Sequence, residues 1–155
     1  MCLIIDNDVV RDILASQCSP AFTPIKEAIH SGQAIVVYGG KLKSEYIKSR
    51  RVSEELMVLD RLGLARQISD QVVDRETTVV KALSICKSND QHIIALARVS
   101  GALLLCSHDQ NLHSDFGNRS LINNPRGSVY QDAAHASLIG KHCKKRRRTS
   151  RPNRA

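Results

Sequence analysis

The chain has 155 residues and a formal net charge of +8, with 42% apolar residues, 3% aromatic residues and no tryptophan. That length suits one domain able to hide about 68–70% of its unfolded surface, so folding requires neither a disulfide framework nor a structural metal. The composition excludes a disordered chain and a membrane span, which needs about 20 apolar residues in a row. It also excludes a broad aromatic platform for stacked bases, because Phe22, Tyr38, Tyr46, Phe116 and Tyr130 are scattered.

The positive charge is local. Eight of the 23 basic residues and none of the 15 acidic ones fall in 141–155, which leaves a neutral body over 1–140 and a basic tail. The stretch from Met1 to Asp6 carries no signal-peptide apolar region. Five cysteines, with no C-x-x-C pair, read as reduced thiols in a cytoplasmic protein; Cys86 and Cys106 adjoin apolar runs and are expected in the core.

In chain order, Cys2 to Asp6 is an Ile-rich run ending at acids, the pattern of a strand buried on both faces. Residues 9–16 have helical spacing, Pro20 and Pro24 mark a turn, and Thr23 is a candidate cap for a helix over 24–30. Ala34 to Tyr38 is a second apolar strand closed by Gly39-Gly40. Residues 41–64 are again helical, with a break near 50–53 and Ser53 as a candidate cap. Val72-Val73 suggests a short strand and 76–85 a helix. Ser88-Asn89-Asp90-Gln91 has the form of a capping box before Ile93, Ile94 and Leu96. Ala102 to Cys106 is a third apolar strand, 117–127 a loop, Ser128 to Tyr130 a last strand and 132–142 a closing helix. Buried strands alternating with helices predict a three-layer α/β/α sandwich with a mostly parallel sheet, whose ligands gather at the carboxyl ends of the strands.

That rule draws attention to the acids. Asp6 and Asp8 end the first strand, Asp109 follows the third, Asp90 sits at the start of the helix after Ser88, and Glu45 lies early in the helix after the second strand. Carboxylates crowded at one sheet end cannot all ionise without a counter-charge, and a hard divalent cation such as Mg²⁺ is the usual remedy. Two such ions can clamp the attacking and leaving oxygens of a phosphodiester. Each acid also has an ordinary structural role: Asp8 and Asp109 as N-caps, Asp90 as partner of a helix dipole, Glu45 as partner of Lys41 or Lys48.

The stretch Leu3-Ile4-Ile5-Asp6-Asn7-Asp8-Val9-Val10 resembles the opening strand of PIN-domain nucleases. Ser44-Glu45-Tyr46-Ile47 resembles their second acidic element, and Ser88 to Ala97 their third. Leu103 to Leu112, containing Cys106-Ser107-His108-Asp109, resembles the strand and turn of the fourth acid. The resemblance covers about residues 2–132. It implies a Mg²⁺- or Mn²⁺-dependent endonuclease, usually of RNA, with Asp6, Glu45, Asp90 and Asp109 as catalytic metal-site carboxylates. Asn7 and Asn89 would orient carboxylates or water. Relatives of this type are often toxins held by an antitoxin, and often dimers. Asp8 stands where the family more often has a neutral polar residue, and is either a further ligand or a cap. Asp115 offers a second acid after the last apolar strand, and Glu54 and Glu55 are alternatives to Glu45.

The tail from Cys143 onward, with Lys144, Lys145, Arg146, Arg147 and Arg148, reads as a disordered phosphate tether, a targeting segment or the grip of an acidic partner. Lys43, Lys48, Arg50 and Arg51 are candidate phosphate contacts within the body. Two other readings stand beside the nuclease. One is a haloacid-dehalogenase-type phosphatase with Asp6 as nucleophile and Asp8 as acid/base. The other is a non-catalytic PIN-like module that binds nucleic acid or a partner.

Overall fold

The structure, a computed structural model, describes residues 1–143 except Ser16 and Asn124. Its centre is one sheet of five short strands: β1 (Leu3–Ile5), β2 (Val36–Tyr38), β3 (Ala65–Gln67), β4 (Leu104–Cys106) and β5 (Ser128–Tyr130). Their order is β3-β2-β1-β4-β5, and every neighbouring pair is parallel. The connecting helices are α1 (Val10–Leu14), α2 (Thr23–His30), α3 (Gly40–Tyr46), α4 (Arg50–Arg61), α5 (Asp70–Leu83), α6 (Gln91–Ser100), α7 (Gln110–Phe116) and α8 (Ser137–His142). The result is the expected α/β/α sandwich.

The three inner strands are buried at every residue, as their unbroken aliphatic runs require. The five aromatic rings join this core: Phe22, Tyr38, Tyr46, Phe116 and Tyr130 are all buried. The edges are more polar. In β3 only Ala65 is buried, with Arg66 and Gln67 exposed, so this strand carries almost no apolar signal. The strand expected at Val72-Val73 belongs instead to α5, where Val73 and Val80, seven residues apart, form the buried helical stripe.

Three caps also differ from expectation. Thr23 is the first residue of α2, after a 3₁₀ turn over Pro20–Phe22. Ser49 rather than Ser53 caps α4, accepting from the Val52 N–H at 3.4 Å. Asp90 rather than Ser88 is the N-cap residue of α6, while the Ser88 hydroxyl accepts from the Asp90 N–H at 3.2 Å.

Strand order sets where a ligand sits. The chain steps outward from β1 through β2 to β3, then returns across β1 to add β4 and β5 on the other side. The carboxyl ends of β1 and β4 therefore flank the switch point, the crevice that open parallel sheets use for ligands.

Two expectations about the chain ends are corrected. Cys2 and Cys143 form a disulfide with a Cα–Cα distance of 5.4 Å, leaving Cys18, Cys86 and Cys106 free. The start of β1 and the end of α8 meet at the amino end of the sheet, which brings these distant thiols together. Cys106 is in the core as expected, whereas Cys86 is half-buried at its edge. The basic tail accordingly begins after the buried Cys143 and not at residue 141, since α8 runs through His142. A disulfide also removes the free-thiol argument for a cytoplasmic protein. No helix among the described residues is long and apolar enough to cross a membrane. Residues 144–155, including Lys144, Lys145, Arg146, Arg147 and Arg148, lie outside the described residues.

The bridge closes a loop of 141 residues. Reduction with dithiothreitol is expected to lower the unfolding free energy by about 2–4 kcal/mol, measured by urea denaturation with and without reductant.

Candidate functional site

Asp6 emerges from β1 into the switch-point crevice. Pairing of Ile5 with Cys106 continues into a bond from the Asp6 N–H to the Cys106 carbonyl at 2.9 Å, which sets Asp6 beside Ser107. The Ser107 hydroxyl donates to Asp6 Oδ2 at 2.8 Å, and the Asn7 N–H donates to Oδ1 at 2.8 Å. Asp6 is only 7% exposed. Ser107 Oγ also accepts from the Asp109 N–H at 3.1 Å, so one hydroxyl ties the two strand ends together.

Asp109 is the N-cap residue of α7; its Oδ1 accepts from the N–H groups of Asn111 at 2.9 Å and Leu112 at 3.2 Å. The structural role allowed by the sequence is thus real, but it employs one oxygen. Asp90 holds the matching position on α6 with no side-chain capping bond. Its carboxyl group instead lies within hydrogen-bonding reach of Asp109.

Glu45 arrives on α3. Gly40, at φ +58°, starts this helix directly after β2, and a Cβ there would lie 2.8 Å from Val73 Cγ1. Tyr46, wholly buried, donates its hydroxyl to the Ile5 carbonyl, which pins the end of α3 to the end of β1. Glu45 Oε1 lies 2.9 Å from His92 Nε2, off the axis of a hydrogen bond, and both buried atoms lack a hydrogen-bond partner among the described residues. Of the three candidate glutamates, Glu45 is the one that senses the charge of Asp90, whereas Glu54 is bonded to Arg50 at 2.9 Å.

These groups form one electrostatic system. Burial pushes the Asp6 carboxyl up to about 7 against the two bonds it accepts, and the charges of Asp8 and Asp90 add to the rise. Asp90 is raised by burial and then by Asp109; Glu45 is raised by burial and, more weakly, by Asp90. Lys41, one helical turn before Glu45, opposes both shifts and is the nearest compensating cation. Burial, then Lys41 and Lys81, lower His92 to about 4, so its ring is neutral near pH 7.

The remaining predicted residues divide. Asp8 is exposed, and its Oδ2 accepts from the His108 N–H at 3.0 Å, lacing the two strand-end turns together. Asn7 and Asn89 are exposed; Asn7 contributes its backbone N–H to Asp6 rather than a side-chain contact, and Asn89 lines a neighbouring pocket. Asp115 does not join the cluster. It is 1% exposed on α7, and its two oxygens accept from the N–H groups of Lys87 at 2.8 Å and Ser88 at 2.9 Å. It thereby anchors the loop that presents Asp90. Lys43 stands 4.0 Å from Asp70, Arg50 pairs with Glu54, and Lys48 and Arg51 are exposed. Ser107 and His92 carry no signal in the sequence, because a lone Ser after a strand and a His in an apolar helix acquire meaning only when the fold brings partners to them.

Comparison with known proteins finds no family model and no curated protein that matches the chain. Among the described residues, no three His, Cys, Asp or Glu side chains stand together as a ready-made metal-ligating group. The donor set still has the chemistry of a hard-cation site. Its members are carboxylate oxygens, they repel one another, and the buried Glu45 Oε1 is left without a donor.

Asp6 supplies a direct check on this electrostatic picture. A carboxyl raised to about 7 binds its proton more tightly in the folded than in the unfolded chain, so its contribution to stability is lost as pH rises from about 4 through 7. Asp6→Asn is expected to remove that loss. Relative to wild type it gains about 2–4 kcal/mol between pH 4 and pH 8, measured by urea denaturation in EDTA.

Proposed function

We propose that this chain is a Mg²⁺- or Mn²⁺-dependent endonuclease of the PIN type, hydrolysing phosphodiester bonds in single-stranded RNA. What supports this reading is the electrostatic coupling of Asp6, Glu45 and Asp109, each to Asp90, from four separate elements beside the crevice between β1 and β4. Three of the four carry carboxyls raised by burial and by their neighbours. Such an arrangement costs stability, and a divalent cation held between the oxygens offsets it.

Asp6, Asp90, Asp109 and Glu45 would hold the metal. When bound, it supplies a Lewis acid that neutralises phosphate charge and lowers the pKa of water. The protein's own contribution is orientation. Ser107 fixes Oδ2 of Asp6 and the backbone of Asp109, Asp115 fixes the loop before Asp90, and Tyr46 fixes α3 beside β1. The Lys41 ammonium balances part of the negative charge and favours approach of a polyanion. Lys43, Lys48, Arg50, Arg51 and the tail bases from Lys144 to Arg148 would add contacts to phosphates without sequence preference. The reading includes a protein partner, a second copy or an inhibitory antitoxin; the exposed Met57, Val58, Val72, Val79 and Leu83 on α4 and α5 offer apolar surface for one.

The test is cleavage of end-labelled single-stranded RNA and DNA with Mg²⁺, Mn²⁺ or EDTA. Metal-dependent cutting of RNA is expected, abolished by Asp6→Asn and by Asp90→Asn. Ser107→Ala, which frees the Asp6 carboxylate without removing it, is expected to cost tenfold to a hundredfold in rate. Undiminished cleavage by Asp90→Asn would overturn the assignment. Loss of a phosphatase activity in Asp6→Asn but not Asp90→Asn would favour the dehalogenase-type reading instead.

A further inference from the structure

Beside the carboxylates, α3, α5 and α6 enclose a pocket of about 280 Å³ lined by Lys41, Lys81, Asn89, Gln91, His92, Thr77, Thr78 and Asp74. Its walls follow from helical spacing. Asp74, Thr77, Thr78 and Lys81 occupy one face of α5, and Lys41 shares a face of α3 with Glu45. Asn89, Gln91 and His92 flank Asp90, so the pocket opens next to the candidate metal-site acids.

The wall carries two cations, Lys41 and Lys81. Neither Lys41 nor Lys81 has an acidic partner within ion-pair distance among the described residues, although both ammonium charges act on the same buried imidazole. The hydroxyls of Thr77 and Thr78 donate back to the carbonyls of Val73 and Asp74, at 2.8 and 3.2 Å. That leaves two ammonium groups and the side-chain amides of Asn89 and Gln91, while the buried His92 Nε2 faces Glu45 Oε1 at 2.9 Å. Asp74 is the one acid on the wall. Two cations without an acidic partner around one concavity call for a ligand that accepts hydrogen bonds and carries negative charge.

We propose that this pocket is a phosphate subsite, in which Lys41 and Lys81 hold a backbone phosphate of a single-stranded nucleic acid next to the phosphodiester at the carboxylates. The inference rests on the reading of those carboxylates as the cutting site, and it gives that site a direction. A strand would run from the switch-point crevice across the α3–α6 side of the molecule, and not across α7. Sequence preference would not come from this subsite, because phosphates carry no base information.

The experiment uses the full chain in EDTA, with a fluorescein-labelled oligouridylate as probe and fluorescence anisotropy as readout over a range of salt. Lys81 is exposed and has no acidic partner among the described residues, so Lys81→Met should leave the fold intact, which a thermal melt verifies. One lost phosphate contact on a single strand lowers the slope of log affinity against log salt by about 0.7, or about fivefold in affinity at 0.1 M salt. That is the result expected for Lys81→Met, with Lys41→Met similar and Lys81→Arg restoring most of the loss. Wild-type affinity and slope in Lys81→Met would overturn the subsite. Binding of inorganic phosphate that depends on Lys81, with oligouridylate affinity unchanged, would overturn it in favour of a free-anion pocket. Binding of oligouridylate that depends on Lys81, with no cleavage under any metal, supports the subsite and sinks the nuclease reading alone.

Discussion

The buried carboxylate of Asp6 is the constraint around which the site is organised. An acid at the end of a fully buried strand is desolvated, and the fold offsets that cost with two hydrogen bonds, from Ser107 and the Asn7 backbone. The offset is incomplete: burial outweighs both bonds and the carboxyl still rises to about 7. Retaining such a group costs stability, and that cost is localised at the crevice between β1 and β4.

The surrounding hydrogen bonds position more than they stabilise. Asp115, itself buried, holds the loop at Lys87 and Ser88, and Ser88 in turn holds the Asp90 backbone. Tyr46 ties α3 to the end of β1 and so determines where Glu45 stands. These contacts tie the loop positions of Asp6, Asp90 and Asp109 to the strands and helices beside them. Rigid carboxylates are what a hard cation with strict geometry demands.

The molecule is also polarised. The carboxylates sit at the carboxyl end of the sheet, while the Cys2–Cys143 disulfide closes its amino end. The phosphate subsite proposed at Lys41 and Lys81 lies beside the acids, on the helices α3 and α5.

Much of this architecture is legible in the sequence. Aliphatic runs declare β1, β2 and β4 because strands covered on both faces admit no polar residue, and the acids after β1 and β4 mark the crevice. Where the signal is local and weak the reading goes astray: β3 is an edge strand with one buried residue, and the cap of α4 shifts from Ser53 to Ser49. Asp90 and Asp109 are visible as helix-initial acids, but nothing in the one-dimensional pattern says that they meet. Tertiary structure alone decides that Ser107 bridges Asp6 and Asp109, that Asp115 serves a loop and not the cluster, and that Cys2 finds Cys143. The physical reason is common to all three. Residue type and spacing determine which elements form and which faces they bury, whereas partners brought together across the strand order depend on how those elements pack.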